Sequence, residues 1–243
     1  MISICMIVKN GAVSLPKTLE SARSFSEVIL LDNGSTDGTL EIAKTFSNVR
    51  IFKSPFIGFG ALRNKAATYA TYDWILALDS DEILSEELLE EIAALRLDPE
   101  CVYSMPRRNF YRGKWIRGCG WHPDRVTRLY YKLKARYVEA KVHESVASDG
   151  AVIKLKGPLL HTPYLSKADF LAKRERYSTL FAEDHRGKKR SSVGRAILSG
   201  SFAFFRSYVL QRGFLDGREG WTISSHNAAC AFYKYLKLVE IKK

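Results

Sequence analysis

Asp79-Ser80-Asp81-Glu82 sets three carboxylates within four residues, directly after the apolar run Trp74-Ile75-Leu76-Ala77-Leu78. Two carboxylates one residue apart can approach a single hard divalent cation. Mg²⁺ or Mn²⁺ suits oxygen ligands and is often held by one or two carboxylates together with substrate phosphates. The other reading of Asp79 and Asp81 is as caps of the next helix, whose first turn holds Glu86 and Glu87, since acidic residues are favoured there. Ser85 is the better N-cap, so capping does not account for both aspartates.

Three more positions carry candidate chemistry. Asp32 ends an apolar run at 28–31 and precedes Asn33-Gly34-Ser35-Thr36-Asp37-Gly38, a turn rich in backbone N–H donors. A carboxylate there can accept a hydrogen bond from a base N–H, and Gly34 and Gly38 let the backbone approach a ligand. Asp32 and Asp37 can equally serve the turn itself. Arg63 follows the Gly58-Phe59-Gly60 loop, where a guanidinium can reach a phosphate or stack near a base, or can be an ordinary surface arginine. His161 follows Gly157-Pro158-Leu159-Leu160. Neutral imidazole is a good Mn²⁺ ligand; a core or acceptor-site histidine is the alternative.

The elements that must position these residues alternate strand and helix over the first 95 positions. Apolar runs at 2–8, 28–31, 49–52 and 74–79 read as buried strands. Helical spacing follows each, opened by Ser14-Leu15-Pro16, by the 33–38 turn, after Gly60 and at Ser85. That alternation predicts a mostly parallel sheet with helices on both faces, and places Asp32 and Asp79–Asp81 at strand carboxyl ends, where such sheets bind ligands. Residues 101–160 are β-rich, with runs at 101–105, 126–131 and 152–155, and predict an antiparallel extension of the sheet. From 166 onward the pattern is helical, with a final helix expected at 227–239. The expected organisation is a catalytic domain at 1–165, divided at residue 100 into donor and acceptor halves, and a basic amphipathic helical region at 166–243.

The chain of 243 residues has a formal net charge of +12. Residues 1–100 are mildly acidic, with 9 Lys/Arg against 15 Asp/Glu, whereas 151–243 hold 18 against 7. A basic half predicts a polyanionic partner. Cys5, Cys101, Cys119 and Cys230 lack C-x-x-C spacing, which favours a reducing compartment and argues against a cysteine-built zinc site. Neither a signal peptide nor a transmembrane span is expected. In 195–212, arginines interleave with Phe, Tyr, Leu and Val, a pattern suited to an anionic membrane interface or to packing on the sheet.

The series Asp32 with Gly-Ser-Thr-Asp-Gly, then Gly-x-Gly-Ala-x-Arg-Asn at 58–64, then Leu-Asp-Ser-Asp at 78–81 resembles the nucleotide-sugar-binding half of glycosyltransferase family 2, which has the GT-A fold. The resemblance implies that Asp32 contacts uracil, Arg63 helps hold the nucleotide, Asp79 lies near the ribose, and Asp81 binds the metal at the pyrophosphate. Many members carry Asn-Glu after the first strand; here it is Asn10-Gly11. Trp121-His122-Pro123-Asp124, Arg128-Leu129-Tyr130, Val142-His143-Glu144 and His161 are similar to the acceptor half of bacterial lipopolysaccharide-core β-glucosyltransferases and close relatives, and 205–217 is similar to that subgroup too.

What the resemblance implies is an inverting transferase that moves a hexose from a UDP-sugar, with Mn²⁺ or Mg²⁺ held by Asp81 and His161, to a lipid-linked or phosphorylated glycan. Its expected place is cytoplasmic, peripheral on the inner face of the cytoplasmic membrane. The acceptor hydroxyl needs a base, and the candidates are Glu144, which is preferred, and Asp124, which can instead pair with a basic neighbour. Two other classes compete. A nucleotidyltransferase would be expected to open with a Gly-rich basic loop, which Lys9-Asn10-Gly11-Ala12 matches poorly. A non-catalytic binder of anionic lipid or nucleic acid accounts for the charge but leaves the Asp32, Arg63, Asp79 and Asp81 series unexplained; no nucleic acid is expected on the transferase reading.

Overall fold

Residues 1–139, 145–164, 167–189 and 191–241 are described by a computed structural model. They divide into two units, residues 1–107 with 124–161, and residues 108–123 with 162–243. The segment 108–123, expected within the catalytic domain, therefore groups with the C-terminal helices.

The first unit is built on four parallel strands, β1 (Ile2–Val8), β2 (Val28–Asp32), β3 (Val49–Lys53) and β4 (Trp74–Ala77), in the order β3-β2-β1-β4. All five residues of β2 are buried, as expected of a strand covered on both faces. Alternate side chains feed two cores. Ile4, Met6 and Leu30 meet helices α1 (Leu15–Ser21), α2 (Thr39–Lys44) and α4 (Glu86–Ala94) through Leu15, Leu19, Ala43 and Leu88. Cys5, Ile29 and Leu31 meet α3 (Phe59–Thr68) through Leu62 and Ala66.

Beyond β4 the sheet continues through β8 (Arg125–Tyr131), antiparallel to β4, and then β6 (Cys101–Tyr111), antiparallel to β8. It ends in β12 (Leu159–His161) and β5 (Glu82–Leu84), which pair antiparallel. β11 (Ala151–Lys154) lies on β6 but runs parallel to it, so the extension expected to be antiparallel is mixed. Strand direction is set by pairing between distant segments, which local periodicity does not carry. The short strands β7 (Lys114–Trp115), β9 (Arg136–Tyr137) and β10 (Val146–Ala147) complete the set.

The second unit holds α5 (Lys167–Asp184), α6 (Val193–Phe205) and α7 (Gly217–Glu240) around a small core of Tyr111, Ile116, Cys119, Phe170 and Ile223. A wide turn at 206–210 and a tight one at 213–216 join α6 to α7. Buried Asp216 accepts the backbone N–H of Gly118 at 2.7 Å, and Lys114 donates to its carbonyl. α7 begins at Gly217, well before the expected residue 227. Residues 217–226 carry Arg218, Glu219, Thr222, Ser224, Ser225 and His226, so their apolar periodicity is faint and their helix is supported by packing on α6.

Candidate active site

The carboxyl ends of β1 and β2 lie side by side, because Val8 pairs with Asp32; β4 flanks β1 on its other side and ends opposite Cys5, which pairs with Ala77. A cavity of about 350 Å³ opens at the ends of β2 and β3, lined by Asp32, Asn33, Gly34, Ser35, Lys53 and Ser54 among others. Asp32 is buried and accepts the N–H groups of Gly34 at 3.2 Å and Ser35 at 3.1 Å. An ionised carboxylate has about four acceptor sites, so the turn leaves it able to accept a ligand N–H. Gly34 has φ +99°, which glycine adopts without strain, whereas Gly38 has φ −70° and only precedes α2. The turn is stitched to the loop after β1. Asp37 accepts from Ala12 N at 3.1 Å, and Asn10 Oδ1 accepts from Thr36 N at 2.8 Å. Asp37 also accepts from Thr39, so it serves the turn.

Asp79 follows β4 and sits between two guanidiniums. Arg63 Nη2 donates to it at 2.6 Å, and Arg128 Nη2 donates to its other oxygen. Burial pushes the Asp79 carboxyl up, but Arg128 and Arg63 outweigh burial and hold it well below the usual carboxylate range. Arg128 also donates to Glu82 at 2.7 Å; Arg107 reaches the same Glu82 oxygen at 3.1 Å and donates through Nε to Asp124 at 2.8 Å. Positive and negative groups thus alternate along Arg63, Asp79, Arg128, Glu82, Arg107 and Asp124. Glu82 is 0 % exposed, and a carboxylate so enclosed persists only when paired and hydrogen-bonded. Its second oxygen accepts the Asp79 N–H at 3.1 Å.

Arg63 is itself buried, so it is not an ordinary surface arginine. Its guanidinium lies 5.1 Å from the centre of the Tyr137 ring. Gly60, one turn earlier, permits the approach of that region, because a Cβ there would fall 2.1 Å from the carbonyl oxygen of Val138.

Asp81 lies beside His161. β12 sets His161 opposite Glu82, and this brings His161 Nε2 to 3.5 Å from Asp81 Oδ2. The two donors, one oxygen and one nitrogen, can reach one cation. Among the described residues no group of three or more His, Cys, Asp and Glu could hold a metal. A cation bound here would draw its other ligands from phosphate oxygens and water, which is usual for Mg²⁺ and Mn²⁺. Neither Asp79 nor Asp81 is the N-cap of α4, because β5 intervenes and Ser85 accepts the Leu88 N–H at 3.2 Å.

Of the two base candidates, Asp124 lies immediately before β8 and pairs with Arg107. Glu144 lies outside the described residues. Arg128, Glu82 and Arg107 were assigned no role in the sequence, yet they link Asp79 to Asp124. The available signal was an arginine inside the apolar run 126–131, since a buried arginine demands a carboxylate.

The sequence matches the profile of Glycosyl transferase family 2 over residues 3–153. It is 28% identical over 257 residues to an uncharacterized glycosyltransferase of Rickettsia prowazekii (strain Madrid E), covering 99% of this chain and 86% of that protein. It is also 28% identical over 254 residues to the lipopolysaccharide core biosynthesis glycosyltransferase LpsC of Rhizobium meliloti (strain 1021), covering 98% and 92%. Among solved structures, residues 1–349 of S. aureus TarS in complex with UDP-GlcNAc share the fold, with a TM-score of 0.52 at 16% identity over 99% of this chain and 89% of that one. With the profile matching more than half of its length on a GT-A sheet, this chain belongs to glycosyl transferase family 2.

Proposed function

We propose that this glycosyltransferase moves a hexose, glucose for preference, from a UDP-sugar to a glycan acceptor of the lipopolysaccharide inner core, by a metal-dependent inverting displacement. The observation that carries this reading is the carboxyl edge of the parallel sheet, where the Asp32 cavity and the Asp79–Asp81 turn follow β2 and β4, the two strands that flank β1. The UDP-GlcNAc bound by TarS supports a uridine donor, and the name of LpsC supports a core-type acceptor. Family membership sets aside nucleotidyl transfer and non-catalytic binding.

In this reading Asp32 accepts the uracil N–H, and Asp79 lies near the ribose with Arg63 and Arg128 fixing its rotamer. Asp81 and His161 are the residues that would hold Mn²⁺ or Mg²⁺. The cation, when bound, stabilises negative charge on the departing nucleoside diphosphate. The acceptor hydroxyl attacks the anomeric carbon in line with that leaving group, and its proton passes to a carboxylate. That base is Asp124 or Glu144; Arg107 orients the first of these. The basic C-terminal region meets an anionic membrane surface, which puts the enzyme peripherally on the cytoplasmic face, where a lipid-linked acceptor is within reach.

The test is calorimetry of UDP and UDP-sugars with Mn²⁺ or with EDTA, on the native chain and on Asp81→Ala. Metal-dependent binding that the variant loses is the expected result. Absence of binding by the native chain under every condition sinks the donor assignment.

A further inference from the structure

α6 carries its small residues inward and its large apolar residues outward. Ala196, Gly200 and, just past the helix, Ser207 are buried. A Cβ on Gly200 would come within 3.1 Å of Phe232 Cβ and 3.2 Å of the Ala228 carbonyl oxygen, so close approach to α7 requires this small-residue seam. At 3.6 residues per turn the opposite side of α6 carries Leu198, Phe202 and Phe205. Leu198 is 73 % exposed and Phe202 60 %, and Phe205 and Val209 are also exposed. Trp221 of α7 is exposed too; its ring lies against Phe204 and Tyr208, with centroids 5.0 and 5.4 Å away.

Leaving so many large apolar side chains in water forfeits the main stabilising term of folding, and a contiguous face of this kind marks an interaction surface. Charge identifies the partner. Residues 185–215 contain seven Lys/Arg and no Asp or Glu. Arg206, Arg212 and Arg218 are exposed. A second copy of the chain, paired about a two-fold axis, would bring the same cationic stretch against itself. An anionic bilayer meets it with opposite charge and supplies an apolar phase for the side chains. Exposed Phe and Leu with aromatic and arginine flanks are the features of a helix lying in the membrane interface. No helix among the described residues is long and apolar enough to cross a membrane.

We infer that the outer face of α6 inserts into the interface of an anionic lipid membrane, with Leu198, Phe202 and Phe205 as its anchors. The inference deepens the membrane contact in the proposed function but rests on the second unit alone, independently of donor and acceptor chemistry.

The test is flotation of the full chain with vesicles of phosphatidylcholine alone or mixed with phosphatidylglycerol, comparing the native protein with the double variant Phe202→Glu/Phe205→Glu. Light scattering without lipid follows oligomeric state, circular dichroism follows folding, and UDP binding reports the donor site separately. The native chain is expected to float with the anionic vesicles, and the variant to lose at least about tenfold in partitioning. A second readout needs neither of those substitutions: vesicles with brominated acyl chains should quench the Trp221 emission, judged against Trp221→Phe. Native protein that floats no better with anionic vesicles than without lipid overturns the inference. So does a lipid-free dimer that the double variant abolishes, because the face would then be covered by a second copy.

Discussion

His161 Nε2 lies 3.5 Å from Asp81 Oδ2, although the two residues are far apart in sequence. The contact exists because β12 returns antiparallel to β5 and sets His161 opposite Glu82, the neighbour of Asp81. If the pair holds the cation, His161→Ala should raise the Mn²⁺ concentration needed for half-maximal UDP binding by about ten- to a hundredfold. Saturating Mn²⁺ should restore the binding. A metal titration indistinguishable from that of the native chain would assign His161 to the acceptor side or to the core.

The two base candidates separate by kinetics. Asp124→Asn and Glu144→Gln keep size and remove basicity. The substitution at the true base should lower kcat by about 10²–10⁴-fold with UDP affinity unchanged; the other should not. Because Arg107 is shared between Asp124 and Glu82, loss of UDP affinity in Asp124→Asn would indicate a disturbed charge chain in place of a lost base.

Arg128 bridges Asp79 and fully buried Glu82. Replacing it with methionine leaves two carboxylates without their shared partner, and removing one side of a buried ion pair costs about 3–5 kcal/mol. Arg128→Lys should recover only part of the loss: it restores a charge, but on a shorter stem than the one that brings Nη2 to both carboxylates. Denaturant midpoints for the native chain and both variants measure this. Equal midpoints would show that Arg107 alone compensates Glu82.

Glu27 predicts acid sensitivity at the opposite edge of the sheet. It accepts from Ser3 Oγ at 2.6 Å, Thr71 N at 2.8 Å, Thr71 Oγ1 at 2.7 Å and Arg50 at 2.5 Å. Burial pushes this carboxyl up, but these donors outweigh burial and bring it from 4.5 down to about 2. The folded value lies below the unfolded one, so the stabilisation is present above the unfolded value and is lost as pH falls from there toward the folded one. Glu27→Gln should be less stable at neutral pH, and the gap to the native chain should narrow across that acid window. A constant gap would remove Glu27 as a source of the pH dependence.

Much of the donor half was legible in the residues themselves. Runs at 28–31 and 74–78 were apolar throughout because these strands are covered on both faces, and that property is local. Ser85 was legible as the cap of α4 because capping reaches only three residues. Asp32 and Asp79 were legible as strand-end carboxylates, and the motif series led to the family. Tertiary structure decided what depends on distant partners. It brought Asp81 to His161, joined Arg63 through Arg128 to Asp124, and turned β11 parallel to β6. Hydrophobic periodicity alone would have turned Leu198, Phe202 and Phe205 inward. They face out because Gly200 admits α7 at a distance that their bulk would forbid. Periodicity tells which residues share a face; only the packed neighbours decide which face is buried.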